Sequence, residues 1–412
     1  MMIRGSMHRL GGALLEKVIN ADGGGYQGEA VDCGQGHAAG FVSYRDKQLV
    51  TVLSSVTVQR AYYHCRRCAA GRIPKDSQLD IEGTSFSPGV RRMMSRVGSK
   101  ESFEEGQKDL EELAGVVVTT KQVERVSEQV GAEAEQQFEP QRARAADNVV
   151  PLKPMAKLYI AYDGTGVPVV KRETEGRAGK QDQGQAKTRE AKVGCVFTQT
   201  KLDAEGHPVR DEGSTSYVGA IETSEKFGHR IYAEAQRRGL EQAQTVVVLG
   251  DGAAWIWNLA DEHFPNAFQI VDLYHARQHL AELSKLVYGP TGAEGKGWAE
   301  ARCRELDQGK VEAVVGAMLR LKSGKADVQL AIEKATGYFQ NNAERMRYGE
   351  FRRRGLFVGS GVVEAGCKTL VGFRFKQSGM HWTVRGANAI LALRCLDLSG
   401  RWEDFWENRA AS

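Results

Sequence analysis

Apolar residues follow three rhythms along this chain. Between residues 41 and 63 they alternate with polar ones. Phe41-Val-Ser-Tyr-Arg-Asp-Lys-Gln-Leu-Val-Thr-Val-Leu53 and Val56-Thr-Val-Gln-Arg-Ala-Tyr-Tyr63 carry the two-residue period of half-buried strands and predict a β-hairpin turning at Ser54-Ser55. From residue 88 to 137 the period becomes helical. Phe103, Leu110, Leu113 and Val117 approximate one face, and Thr119-Thr120 can cap a further helix through Gly131. From residue 158 onward, short unbroken apolar runs predict buried strands at Leu158–Tyr162, Lys192–Thr198, Ser214–Ile221, Thr245–Leu249 and Phe268–Asp272, with a helix at Ser224–Arg238. Helices are expected again at Leu273–Tyr288, Trp298–Leu306, Val311–Leu321 and Asp327–Asn341, with Gly289–Gly297 as a flexible break. Gln141–Pro154 reads as a linker. Lys171–Glu190, polar and nearly free of large apolar residues, reads as a mobile loop.

The 412 residues suggest two or three domains, and 41% apolar with 26% charged residues fits a soluble globular protein. No run is long enough to span a membrane, and the N-terminus lacks the apolar core of a signal peptide. Seven cysteines in a chain of this length suit a reduced cytoplasm better than a disulfide scaffold. The net charge of +4 is unevenly spread. Residues 345–385 hold nine basic and two acidic residues, residues 60–96 eight and three, and residues 101–135 three and ten. Basic blocks suit a polyanion, or are ordinary solvated faces. The acidic helical segment resembles a helix-turn-helix, yet its charge fits packing or dimerisation as well as it fits a DNA groove.

Three acids stand in unusual settings. Asp163 and Asp251 each end an apolar run and precede glycine; Glu364 lies in Gly359-Ser-Gly-Val-Val-Glu-Ala-Gly-Cys-Lys368, a loop entering a helix. Acids at the C-terminal tips of buried strands sit where open α/β sheets place ligands. Two tips and a helix-borne glutamate can converge on a pair of divalent cations, which clamp the attacking and leaving oxygens of a phosphoryl displacement. Asp-Gly after a strand is also an ordinary turn. The apolar neighbours of Glu364 suggest a buried approach. His275 is a satisfied helix histidine or a contact to the scissile phosphate or a catalytic carboxylate; His279 shares its helical face, a His-x-x-x-His zinc spacing with no other nearby ligand. Cys33 and His37 precede the hairpin and Cys65 and Cys68 follow it, the pattern of a small zinc ribbon or of reduced, partly exposed thiols. Trp255, Trp257 and Trp382 are core residues or base-stacking ones. Phe373-Arg-Phe-Lys376 suits a strand or loop beside DNA, with Arg374, Lys376 and Arg385 as phosphate contacts and Trp382 as a stacking contact.

Three consecutive strands followed by alternating helix and strand is the order of a ribonuclease-H-like domain. The ordered motifs Tyr162-Asp-Gly-Thr165, Thr188-Arg-Glu-Ala-Lys192-Val-Gly-Cys195, Gly250-Asp-Gly-Ala-Ala-Trp-Ile-Trp257, Asp272-Leu-Tyr-His275, Tyr348-Gly-Glu-Phe351 and the Glu364 box together resemble bacterial insertion-sequence DDE transposases of the ISKra group, distantly similar to Mutator-like elements. Ala61-Tyr-Tyr-His-Cys65 with Cys68, and Gly379-Met-His-Trp382-Thr-Val-Arg-Gly-Ala-Asn388, also look like that group. The resemblance implies an α/β fold, with a ribonuclease-H-like mixed sheet and a helical insertion behind a zinc-ribbon-like module and a helix-turn-helix-like segment. It implies Asp163, Asp251 and Glu364 as catalytic acids holding two Mg²⁺ or Mn²⁺ ions, and Asp272 and His275 as a D-x-x-H signature. Relatives commonly open the zinc module with two cysteines, whereas Cys33 is paired here with His37. The expected layout is a zinc-ribbon-like module at 1–75, a helical segment at 76–140, a linker at 141–155, the first part of the catalytic core at 156–272, a helical insertion at 273–355 and the rest of the core at 356–412. Such an enzyme binds the terminal inverted repeats of its element as a dimer, cleaves the strands and joins 3′ ends to target DNA, in a bacterial cytoplasm at the nucleoid. The alternatives are a catalytically silent zinc-ribbon regulator and a ribonuclease-H-like nuclease or resolvase without strand transfer.

Overall fold

A computed structural model of the chain describes residues 2–137, 155–179 and 184–410. Two units form, residues 1–133 with 402–412, and residues 134–401. All of the expected linker except Met155 lies outside the described residues. Among those described, no helix is long and apolar enough to cross a membrane.

In the first unit the alternating segment forms the expected hairpin. Strands β1 (Ala30–Asp32), β2 (Ala38–Val50), β3 (Ser55–Cys65) and β4 (Ala70–Arg72) make an antiparallel sheet in that order. The turn comes slightly earlier than expected, at Thr51–Ser54, where the Thr51 hydroxyl accepts from the backbone N–H groups of Leu53 and Ser54. Helix α1 (Met2–Asn20) was not expected. It covers the part of β3 that β4 does not reach: the Glu16 carboxylate accepts from the Thr57 N–H (2.7 Å), and the Asn20 amide bridges the Thr57 carbonyl and the Gln59 N–H. Those groups would otherwise be an open sheet edge. Gly12 permits this approach, because a Cβ there would collide with the Ser54 side chain.

After α2 (Pro74–Gln78), the helical stretch is three helices rather than two: α3 (Pro88–Lys100), α4 (Phe103–Asp109, extended by a wide turn to Ala114) and α5 (Thr120–Gln137). Ser87 and Ser102 cap the first two. Thr119 and Gln122 exchange hydrogen bonds in a capping box that opens the third. The single face expected through Leu113 and Val117 does not form. Gly115, at φ 71°, ends the helix, and both side chains are exposed. A last helix, Trp402–Ala410, packs in this unit, with Glu403 paired to Arg92 and Arg409 to Asp80.

The second unit is a mixed sheet with helices. Its strands are β5 (Met155–Pro168), β6 (Thr188–Gln199), β9 (Ser216–Ala220), β10 (Ala243–Gly250) and β11 (Phe268–Val271); β7 (Lys201–Leu202) and β8 (Pro208–Val209) form a small separate hairpin. The sheet order is β11-β10-β5-β6-β9, with β5, β10 and β11 parallel and β6 and β9 antiparallel to their neighbours. Leu158–Tyr162 is wholly buried, as its unbroken apolar run requires. β5 and β6 pair well beyond the predicted strands, from Lys157 opposite Gln199 to Pro168 opposite Thr188. Of the stretch expected as a mobile loop, residues 188–190 belong to β6. Residues 171–174 form a 3₁₀ turn and Ala178 bridges Gln185; residues 180–183 lie outside the described residues.

Helix α6 (Ser224–Arg237) follows β9, and α7 (Ala254–His263) lies between β10 and β11. The helical region is α8 (Leu273–Tyr288), α9 (Ala293–Asp307), α10 (Val311–Leu319), α11 (Ala326–Asn341) and α12 (Tyr348–Arg353). The expected break at 289–297 is short, since α9 starts at Ala293. Helix α13 (Gly361–Gly366) runs into a wide turn at 367–372. Helix α14 (Val384–Leu398) covers the β9 edge: Asn388 accepts from the Ile221 N–H and Ser399, just past the helix, from the Tyr217 N–H (both 2.8 Å).

Candidate functional site

Sheet register brings the acids together. Leu249 pairs with Ala161, so Asp251, two positions on, stands level with Asp163 on the adjacent parallel strand. Gly250 pairs with Val271, which puts Asp272 level with Asp251. Laterally matched residues share a face and their strands lie about 4.8 Å apart. Three aspartates thus form a row, Asp163 within β5 and Asp251 and Asp272 just past the ends of β10 and β11.

Their environments differ. The Asp163 carboxyl is half-buried and accepts from the Gly164 N–H and the Cys367 thiol. Its pKa is raised, by burial first and by the Asp251 carboxylate as well; the thiol, the N–H and His275 oppose the rise. Asp251 accepts from the Ala253 N–H (2.9 Å), and its carbonyl accepts from the Tyr338 hydroxyl (2.8 Å). Asp272 is buried and both its oxygens are engaged. One accepts from the His275 N–H (2.7 Å), capping α8, and the other from the Ser360 N–H at the start of α13. The Leu273 N–H reaches the Val358 carbonyl (2.9 Å). The D-x-x-H spacing is thus the geometry of a helix cap, and Asp272 ties the Glu364 loop to β11.

A raised folded pKa means that Asp163 holds its proton more tightly in the folded chain. The group adds stability below the ordinary carboxyl value of 3.8, and that stability is lost as pH rises through the folded value. Asp163→Asn is therefore expected to raise the thermal midpoint of the metal-free chain at neutral pH and to leave it unchanged below about pH 3. A midpoint at or below wild type at neutral pH contradicts this.

Glu364 stands apart. Val363, Gly366 and Cys367 take the buried positions of α13, Gly366 lying against the Tyr217 ring, and Glu364 is left 64% exposed and paired with Lys368 at 2.9 Å. The expected buried approach belongs to its neighbours. Cys367, one turn on, touches Asp163, so the glutamate is anchored one helical turn from the aspartate row. The three acids are not among the described sets of Cys, His, Asp or Glu side chains whose ligand atoms all lie within 4.8 Å of one another.

His275 and His279 meet with their Nε2 atoms 3.2 Å apart, and His279 packs on the Tyr338 ring (4.4 Å). Burial, then His275, lowers the His279 pKa, favouring the neutral ring. Trp255 lies near Tyr162 and Phe227 with the Lys192 ammonium over it (5.3 Å), and Trp257 is buried beneath the Arg345 guanidinium.

The expected DNA contacts divide. Arg374 and Trp382 are buried, with the guanidinium 4.7 Å over the indole. The Trp382 backbone pairs with Pro168 and Val170 beyond the end of β5. The Phe373–Lys376 stretch is a helical turn rather than a strand, so Phe373 faces out and Arg374 in. Arg374 and Trp382 are core residues stacked on one another. Lys376, bonded to Thr165 (2.7 Å), and Arg385 are exposed. Sequence reasoning missed Cys367, Lys192 and Tyr338. The first two stood inside motifs already singled out, whereas no local pattern marked Tyr338.

In the other unit, the Cys33, His37, Cys65 and Cys68 ligand atoms all lie within 4.8 Å of one another. Cys33 and His37 flank the β1–β2 turn, and Cys65 and Cys68 the β3–β4 turn. The Cys33 and Cys68 sulfurs are 3.7 Å apart, close to the ~3.8 Å that tetrahedral ligands at zinc–sulfur bond length require. His37 Nδ1 is 3.1 Å from the Cys68 sulfur. Burial and the neighbouring thiols push the Cys68 pKa up to about 11, the crowding a cation would relieve. These residues fit a structural zinc ion. An exposed set, Asp203, Glu205 and His207, forms the turn between β7 and β8.

No protein-family model matches the chain, and no curated protein does. Among solved structures it is similar to the Drosophila P element transposase strand transfer complex, with 11% identity, 81% of this chain and 84% of that chain covered, and a TM-score of 0.28. A likeness that weak carries no inference about fold or chemistry.

Proposed function

We propose that this chain is a DNA transposase of the DDE type, built on a ribonuclease-H-like sheet. One observation carries the reading: Asp163 and Asp251 stand level on adjacent parallel strands, close enough for one carboxylate to raise the other's pKa. Crowding like charges on neighbouring strands is unfavourable unless a cation is to be held there. The strand order, three antiparallel strands and then two parallel ones on the far side of β5, supports the ribonuclease-H-like assignment.

Asp163, Asp251 and Glu364 would hold two Mg²⁺ or Mn²⁺ ions, which supply an activated oxygen nucleophile and neutralise charge at phosphorus. Glu364 would exchange Lys368 for that site, through side-chain rotation on a helix already fixed by Cys367 and by the Asp272–Ser360 contact. Asp272 acts as a positioning residue. His275 orients the carboxylates, and Lys376 and Arg385 steer phosphates. Double-stranded DNA, as element ends and target, is the substrate. The exposure of Glu364 favours a second reading, a zinc-ribbon DNA binder without cleavage.

The test is incubation of the purified chain with a supercoiled plasmid carrying the DNA that flanks its gene, in Mg²⁺, Mn²⁺ or EDTA. Metal-dependent nicks and joined 3′ ends are expected. Nicks without joining would leave a nuclease. Binding without nicks in either metal would leave the regulator.

A further inference from the structure

Helix α1 shows two opposed faces. Gly12, Glu16 and Asn20 lie against the β2–β3 hairpin. The far face carries Ile3 (81% exposed), Met7 (60%), Leu10 (56%), Leu14 (57%) and Val18 (72%). At 3.6 residues per turn these five fall within an arc of about 80°, centred opposite Gly12 and Glu16, along a helix about 28 Å long. Leu113 and Val117 are also exposed, and Arg4 bonds the carbonyls of Glu112 and Leu113. The stripe presents on the order of 500 Å² of apolar surface, the upper end of what a monomer leaves in water. Two copies burying it would reach about 1,000 Å², the size at which an interface becomes specific.

We infer that this face binds a second copy of the chain, as an antiparallel α1–α1 pair about a two-fold axis. The spacing is self-complementary. Reversed against itself, Ile3 meets Val18 of the other copy and Met7 meets Leu14, with Leu10 of each copy beside the two-fold axis. Arg4 flanks the stripe near its N-terminal end, so a parallel pair would bring these like charges to the same end. The antiparallel pair separates them and opposes the helix dipoles favourably. The inference does not depend on the catalytic reading.

Sedimentation equilibrium of the full chain tests it. A dimer is expected at about 10 µM, and the Leu10→Glu/Leu14→Glu variant should associate at least ~100-fold more weakly. Both side chains already lie in solvent, so an unchanged circular dichroism spectrum is the folding control. Under mild oxidation Leu10→Cys should cross-link to itself. Ile3→Cys should cross-link with Val18→Cys but not with itself. A wild-type monomer at about 100 µM overturns the inference. So does a dimer that survives the double substitution, self-linking of Ile3→Cys, or a monomer that binds anionic phosphatidylglycerol vesicles through this helix.

Discussion

Asp163→Asn, Asp251→Asn and Glu364→Gln are each expected to lower metal-dependent strand cleavage by about 10³-fold or more, with DNA affinity within a few-fold of wild type. Each change removes a charged oxygen ligand while keeping side-chain size, so the row at the strand ends persists without its affinity for cations. The three variants should differ in how they affect the fold. Asp163→Asn relieves a buried charge and Asp251→Asn removes that charge's like neighbour. Glu364→Gln loses only an exposed pair with Lys368, worth roughly a few tenths of a kcal/mol. Glu364 is therefore the most telling position. It is dispensable for folding and lies one turn from the residue that touches Asp163. A large loss of cleavage from Glu364→Gln is explained only by a role in the reaction. Activity within tenfold of wild type would remove Glu364 from the site, and the three-acid reading with it.

Asp163 and Asp251 were legible in the sequence because each ends an apolar run, although β5 continues past Asp163 to Pro168. Helix α8 was legible to the residue, since Asp272 caps it and Gly289 ends it. Longer β5 and β6 were not. Beyond Tyr162 the chain turns to Asp-Gly-Thr-Gly-Val-Pro, poor strand formers held only by pairing across the hairpin. Helix α1 was hidden by Gly5, Gly11 and Gly12, which lower helix propensity, and its stability comes from contacts to β3 that no local pattern announces. Arg374 was misread for a related reason. A basic residue between aromatics suggests a surface, and only the folded stack shows the guanidinium turned inward. Glu364 failed in the opposite sense: its small apolar neighbours are buried because the glutamate is not.

Loss of the thiolate ligands should have the other large effect. Cys65→Ser or Cys68→Ser is expected to reduce bound zinc from about one ion per chain to a small fraction of that. Zinc contributes about 10–16 kcal/mol to folding in isolated zinc-finger peptides. Here the consequence should be confined, because the hairpin packs into separate apolar clusters at its two ends. Cys33, Ala39, Ala61, Tyr63 and Cys65 form one, at the ligand end of the hairpin. Leu49, Val56, Val58 and Ile81 form the other, toward the turn end, with Ile19 of α1 against it. The first lies beside two turns that the ligand cluster and the Arg72–Cys33 hydrogen bond join. The second keeps its strand pairing and the α1 contacts without metal. Chelation should thus speed amide exchange at residues 30–42 and 62–72 and leave 47–58 protected. Metal analysis and hydrogen exchange on wild type and Cys65→Ser decide it. A zinc-free wild type with protected amides at 30–42 would show that the four side chains cluster without holding an ion.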